Sequence, residues 1–292
     1  MAYKSSVHMN IKILVAYHKE SILIENEIFM PLQVGKQFSD NILEMQGDNE
    51  GDNISDKNST YCEMTAVYWA WKNLSCDYYG LCHYRRLFSC AHIPILKRLK
   101  LNLSYFKAKI LNFYMPGHCV CLNSMIQISD EKNIISSSKR FAQYVEEKLA
   151  DKSIHAIVPY PIYFSGLNIY RFFGDHIFHF NLVLEILKEK YPLFYPNVKD
   201  CLFGNRLYSS NMFIMRHDVF NQYCSLIFSI LEEHRKKLFE MRWCYDLENE
   251  KCFARVSGYI SEILTSAFVM MLIKSNKKIQ MVHVAYYSPD NI

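Results

Sequence analysis

The sequence predicts an α/β fold with a mainly parallel central sheet flanked by helices. Short apolar runs of strand length alternate along the chain with longer stretches of helical periodicity. Neither repeats nor low-complexity tracts interrupt that alternation, which is the pattern of a layered α/β domain. The length, 292 residues with half of them hydrophobic and 21% charged, is ample to bury a core. In open sheets of this type ligands bind beyond the carboxyl ends of strands, so polar residues ending a strand are the first site candidates.

The elements follow in order. Residues 11–20, IKILVAYHKE, are an apolar run turning polar, read as the first strand and its loop. NEIFMPLQVGKQ follows, punctuated by Gly35. A polar turn cluster then repeats Gly-Asp-Asn at 47–49 and 51–53. A helix is expected next, because Ala66, Val67, Ala70, Trp71 and Leu74 recur at helical spacing. Ser59 or Thr60 can cap it, and Glu63, three after Thr60, completes a capping box. Trp69 and Trp71 point to different faces; Trp71 is read as core, Trp69 as core or a sugar-stacking ring. From Asp77 a second strand, YYGLC, ends in His83-Tyr84-Arg85-Arg86. Helices are expected at 137–151 and 178–192, with a short buried strand between them at 154–161 that proline stops. NMFIMR (211–216) reads as a strand leading into a long helix, 254–273 as another helix, and 278–287 as a closing strand. The whole chain, 1–292, reads as one domain, with 1–10 as a leader and 89–130 as a basic insertion.

The net charge, +4, says little, but its distribution says more. No Asp or Glu occurs between Asp77 and Asp130, while Arg85, Arg86, Lys97, Arg98, Lys100, Lys107 and Lys109 fall in that window. Such a field favours a phosphate-bearing ligand or an anionic surface; a solvated basic face is the plain alternative. Residues 93–114 mix basic and apolar residues as an interfacial amphipathic helix does, and as an ordinary surface helix also can. The ten cysteines lack metal spacing and read as reduced thiols of a cytosolic protein. No signal peptide is recognised, and the apolar run 263–273 is too short to span a bilayer. A cytoplasmic protein is expected, peripheral on the inner face of the membrane, with no nucleic-acid partner.

Several chemistries are excluded. G-x-G-x-x-G does not follow the first strand, and G-x-x-x-x-G-K-[ST], G-x-S-x-G and H-E-x-x-H are all absent. What remains is an organisation similar to nucleotide-sugar transferases of the GT-A type. There the strand in the position of YYGLC typically ends in Asp-x-Asp, which holds a divalent metal on the diphosphate. Here His83, Tyr84 and Arg85 take that place. An arginine can neutralise a leaving diphosphate directly through bidentate charge-assisted hydrogen bonds, or it can simply pair at a sheet edge.

The stretches GDNISDKNSTYCEMTAVYWAWKN and DYYGLCHYRRLF, with NMFIM at 211–215 and Arg255, Val256, Gly258, Ser261 and Glu262, closely resemble a bacterial family. That family occurs in capsular, exopolysaccharide and lipopolysaccharide gene clusters, was long labelled a domain of unknown function, and is treated as glycosyltransferases. The resemblance runs from about residue 11 to 285. It implies a GT-A-like fold and transfer of a hexose from a nucleotide sugar, most simply a UDP-hexose, to a lipid-linked oligosaccharide at the membrane. It places His83, Tyr84, Arg85 and Arg86 on the donor diphosphate. Asp52, Asn53, Ser55, Asn58 and Glu63 fall near the nucleotide, although turn and capping chemistry explains them equally. Asn211 would contact a sugar. For an inverting transfer Glu262, His176 or Asp246 would take the acceptor proton; Glu262 interrupts an apolar helical face, where burial would raise its pKa, or it is a structural acid paired with Arg255 or Arg206. No metal ligand is assigned, and a divalent ion on acids such as Asp52 is the less favoured arrangement. The rival expectation is a non-catalytic module that binds an anionic polymer or membrane surface.

Overall fold

A computed structural model describes residues 9–91, 99, 100, 103, 106, 107, 110, 120–122, 125–165, 167–241 and 254–289. The first strand, β1 (Ile11–Tyr17), pairs in parallel with β2 (Phe29–Gln33) on one side and β3 (Tyr78–His83) on the other. Beyond β3 the directions mix. β4 (Arg86–Ser89) turns back from β3, with His83 opposite Arg86. β5 (Val120–Leu122) belongs to a small separate sheet, and β6 (Ile126–Ile128) pairs in parallel with the last strand. β7 (Ala156–Pro159) is followed by β8 (Ile162–Ser165) and β9 (Arg206–Leu207), which join β5 in the small antiparallel sheet. β10 (Phe213–Arg216) runs antiparallel to both β3 and β7. The last strand, β11 (Ile279–Tyr287), pairs in parallel with β7 and antiparallel with β4. The pairings β3–β10–β7–β11–β4–β3 therefore close a ring. The expected mainly parallel sheet is thus a mixed sheet. A strand buried on both faces reads as a continuous apolar run whichever way its neighbour points, so the sequence carried no sign of the reversal.

Alternation along each strand feeds two cores. Leu14, Ala16, Tyr79, Leu81, Phe213 and Met215 face one side, where α2 (Met64–Asn73), α5 (Ile177–Lys190), α6 (Tyr195–Leu202), α7 (His217–Glu240) and α8 (Val256–Lys274) pack. Ile13, Val15, Tyr17, Tyr78, Cys82 and Ile214 face the other, covered by Ile134, Phe141 and Val145 of α3 (Glu131–Leu149). Two one-turn helices complete the set, α1 (Asn58–Tyr61) and α4 (Ile169–Phe172). Helix α8 is long and apolar enough to cross a bilayer, more so than the run 263–273 suggested. However, 78% of its most apolar window is buried inside the protein, as befits a core helix.

Three local expectations change. The helix expected from Thr60 is broken at Cys62, whose φ is +51°, and α2 starts only at Met64 with no side-chain cap, so the capping box does not form. The quartet His83 to Arg86 forms the β3–β4 hairpin turn: His83 ends β3 and Arg86 begins β4, so the strand that ends there turns back on itself. Trp69 is the buried tryptophan, donating to Glu50 O at 2.9 Å, while Trp71 lies half-buried and stacked on Phe228.

Candidate active site

A cleft of about 540 Å³ opens at the carboxyl ends of β1, β2 and β3, in the range of small-molecule sites. One wall is the β3–β4 turn. Arg85 donates from Nη2 to Tyr286 Oη at 2.9 Å, and its carbonyl accepts from Tyr287 N at 2.9 Å. Arg86 donates from Nη1 to Ser210 Oγ at 3.3 Å. His83 Nε2 lies 2.7 Å from Ser210 O. A carbonyl only accepts, so Nε2 carries the proton in this contact. Tyr84 is buried, packed against Tyr17 and edge-on to His18.

The opposite wall joins Asn58, Ser59, Cys62 and Glu63 to the start of α8, where Arg255, Gly258, Tyr259 and Glu262 face the cleft. Close approach of these two segments depends on Gly258, because a Cβ there would stand 3.0 Å from Cys62 Sγ. Arg255 is left-handed (φ +62°) and donates its N–H to Ser59 O at 2.8 Å, which fixes how α8 begins. Its guanidinium lies 5.5 Å from the Tyr259 ring. Burial pushes the Cys62 thiol up to about 11 although Arg255 opposes the shift, so Cys62 is a packed thiol and a poor nucleophile.

Cations line the cleft and carboxylates lie at its base. Among the described residues no carboxylate forms an ion pair with Arg85, Arg86 or Arg255. Desolvation, followed by the positive Lys19, His83 and Arg255, holds His18 below its ordinary value. Glu262 keeps an edge open to the cleft but lies deep enough that burial raises its carboxyl above the usual range. The Ser210 N–H, Arg86 and Arg255 oppose that rise, and Glu63 adds to it. Glu262 accepts the Ser210 N–H on Oε1. Glu63 accepts from Asn211 Nδ2 at 2.8 Å, the work it does in place of capping.

Of the residues singled out from sequence, the fold brings Asn58, Glu63, His83, Tyr84, Arg85, Arg86 and Glu262 to this cleft. Asn211 is 1% exposed beneath it, held by Glu63, Ser261 and Thr265. His176 stands one side chain back, its ring 4.3 Å from that of Tyr259. Asp52, Asn53 and Ser55 are not brought there. Asp52 bonds to Asn73 and Tyr68, and Asn53 closes its own turn onto Asn49 O and Gly51 O. Ser55 Oγ donates to the buried Asp48 at 2.5 Å. Their polar groups are consumed in folding the loop. Asp246 and most of the basic stretch 97–109 lie outside the described residues. Among the described residues no three His, Cys, Asp or Glu gather as a metal-binding group.

The sequence reading gave no role to His18, Ser210, Tyr259 or Tyr286, and to Arg255 only that of an ion-pair partner for Glu262; all five also line the cleft.

Over residues 12–275 the chain matches the family profile described as a domain of unknown function, DUF4422. No curated protein matches it. Among solved structures it is similar to the apo structure of WbbM, a bifunctional glycosyltransferase, with 23% identity and a TM-score of 0.72. The match covers 96% of this chain and 45% of that one, so the chain spans less than half of that protein's length. At this identity the likeness is one of fold.

Proposed function

The chain belongs to the DUF4422 family, and on that premise we propose that it is a glycosyltransferase whose cleft takes a nucleotide-activated hexose. The observation that carries the reading is the arrangement in the cleft: arginines on its walls that form no ion pair among the described residues, a raised carboxylate at its base, and strand carboxyl ends behind them. The fold shared with a bifunctional glycosyltransferase supports it.

In this reading the donor is a UDP-hexose. Its diphosphate sits between Arg85 and Arg86 on one wall and Arg255 on the other, with His83 held beside them by its bond to Ser210 O. Guanidinium groups place positive charge where the leaving group becomes negative, the role a divalent ion plays in Asp-x-Asp transferases, so the reaction proceeds without a metal. For an inverting transfer the acceptor hydroxyl oxygen bonds to C1 of the sugar as the C1–O bond to the diphosphate breaks. The electron pair leaves with the diphosphate, and the hydroxyl proton passes to Glu262, whose Oε2 is left for the cleft once Oε1 holds Ser210 N–H. The acceptor is a lipid-linked oligosaccharide. Leu99, Leu103, Phe106 and Ile110 support a membrane location, since they are exposed at helical spacing beside Lys100 and Lys107.

Melting with UDP, GDP or CMP, each with manganese or EDTA, tests the reading without an acceptor, because a ligand of the folded state raises the Tm. Stabilisation by UDP that survives EDTA is expected. Stabilisation only with manganese would remove the arginine account and keep the transferase. No response to any nucleotide would favour the second reading, a non-catalytic module for an anionic polymer or membrane, which the acid-free window 78–129 suggests.

A further inference from the structure

Three non-glycine residues with positive φ line this cleft, Cys62, Ser210 and Arg255, and a fourth, Asn211, lies buried beneath it. Two of them are consecutive, with φ of +67° at Ser210 and +50° at Asn211. Left-handed backbone is strained for a non-glycine residue, and it persists only where the surroundings over-determine it. Here they do. Ser210 uses every polar atom it has: N–H to Glu262, carbonyl to His83 at 2.7 Å, and Oγ to Arg86 at 3.3 Å. Asn211 holds Glu63 at 2.8 Å and is itself fixed by Thr265, which bonds Tyr223 at 2.7 Å in the core. An extended Ser210 would point its N–H and carbonyl in other directions and lose the carboxylate or the histidine.

Resting on the glycosyltransferase reading, we propose that Ser210 is a positioning residue that couples the diphosphate arm to the proton-accepting carboxylate. The left-handed turn holds Arg86 and His83 on one side and Glu262 on the other at a fixed separation. Arg86 is thereby kept close enough to Glu262 to favour its ionised form. The other groups acting on Glu262 are Glu63, which opposes ionisation, and Arg255 at the head of α8, which favours it; Glu262 in turn helps raise the Cys201 thiol of α6.

The test is UDP affinity against pH, by calorimetry, for wild type, Ser210→Ala, Ser210→Gly and Glu262→Gln. In wild type, affinity rises as pH falls through the titration of Glu262, because protonation removes a negative charge beside the diphosphate. Titration of UDP itself is common to all four proteins and cancels in the differences. Glu262→Gln abolishes the Glu262 step. Both serine variants keep the backbone and lose Oγ, so Arg86 is released. They are expected to bind UDP roughly three- to tenfold more weakly, the scale of one ordinary hydrogen bond lost from the positioning of Arg86. Their Glu262 step moves to higher pH. Glycine also relieves the left-handed strain, so Ser210→Gly melts above Ser210→Ala while sharing its binding defect. A merely structural serine would change Tm and leave both the affinity and the position of the step unchanged, and that result overturns the proposal. If wild type binds no UDP at any pH, the glycosyltransferase reading fails first and takes this inference with it.

Discussion

In the proposed reaction Glu262 is the residue on which the chemistry turns. Its carboxyl is raised by burial, with Glu63 adding and Ser210 N–H, Arg86 and Arg255 subtracting. A base must be ionised, so transfer should fall as pH drops through a pKa above the ordinary glutamate range, and recover on the alkaline side. Glu262→Gln should cut turnover by about 10²- to 10⁴-fold, the usual worth of general-base catalysis, with UDP binding retained. A pH–rate profile whose acid limb stays at the ordinary glutamate value would sink the assignment. Only part of this was legible in the sequence. Glu262 stood out because a charge interrupts an apolar helix, and the quartet because four polar residues follow a buried strand. Asp52, Asn53 and Ser55 misled, since a turn that satisfies its own hydrogen bonds has the same composition as one that offers them to a ligand. Arg255 stood out in the sequence, but its place at the cleft did not, because that depends on a left-handed backbone fixed by Ser59, a contact 196 residues away in sequence (255 − 59).

Elements set these positions through two contacts. The first is α1 against α8 at Gly258, where a Cβ would meet Cys62 Sγ at 3.0 Å and Cβ at 3.3 Å. Gly258→Ala should destabilise by roughly 1–3 kcal/mol, the cost of overpacking, and weaken UDP binding because Arg255 moves with the helix. Urea unfolding with unchanged midpoint would show that the segments have slack. The second contact is α5 against α7, where His179 Nδ1 and His234 Nε2 lie 3.2 Å apart, both buried. Burial lowers His179 to about 4 and His234 to about 3. The unfolded chain takes up protons from about pH 6.5, before the folded one does. Stability is therefore fully present above that value and is lost as pH falls towards 4 and 3. Melting across pH 3 to 8 should follow that course, and His234→Phe should flatten it. The strands and long helices were legible from periodicity, as in β1 and α7. The break at Cys62 was not, because it answers to packing against Gly258 rather than to local propensity.

At the scale of the molecule, the ring of pairings β3–β10–β7–β11–β4 brings the β3–β4 turn, the Ser210 turn and Tyr286 of β11 to one mouth. Sequence alone predicted layers and alternation but not the antiparallel returns that bring these loops together, because apolar runs do not encode direction. In the proposed reading Leu99, Leu103, Phe106 and Ile110, exposed beside Lys100 and Lys107, are the surface that meets a membrane. Vesicles containing an anionic lipid should bind the protein, neutral vesicles should not, and salt should release it. Binding equal on both would contradict that part. The most direct measurement is a crystal structure with UDP. The account predicts the diphosphate between Arg85 and Arg86 on one side and Arg255 on the other, above Glu262, with no metal bridging it. A diphosphate bound away from these arginines, or held chiefly by a divalent ion on carboxylates, would contradict it.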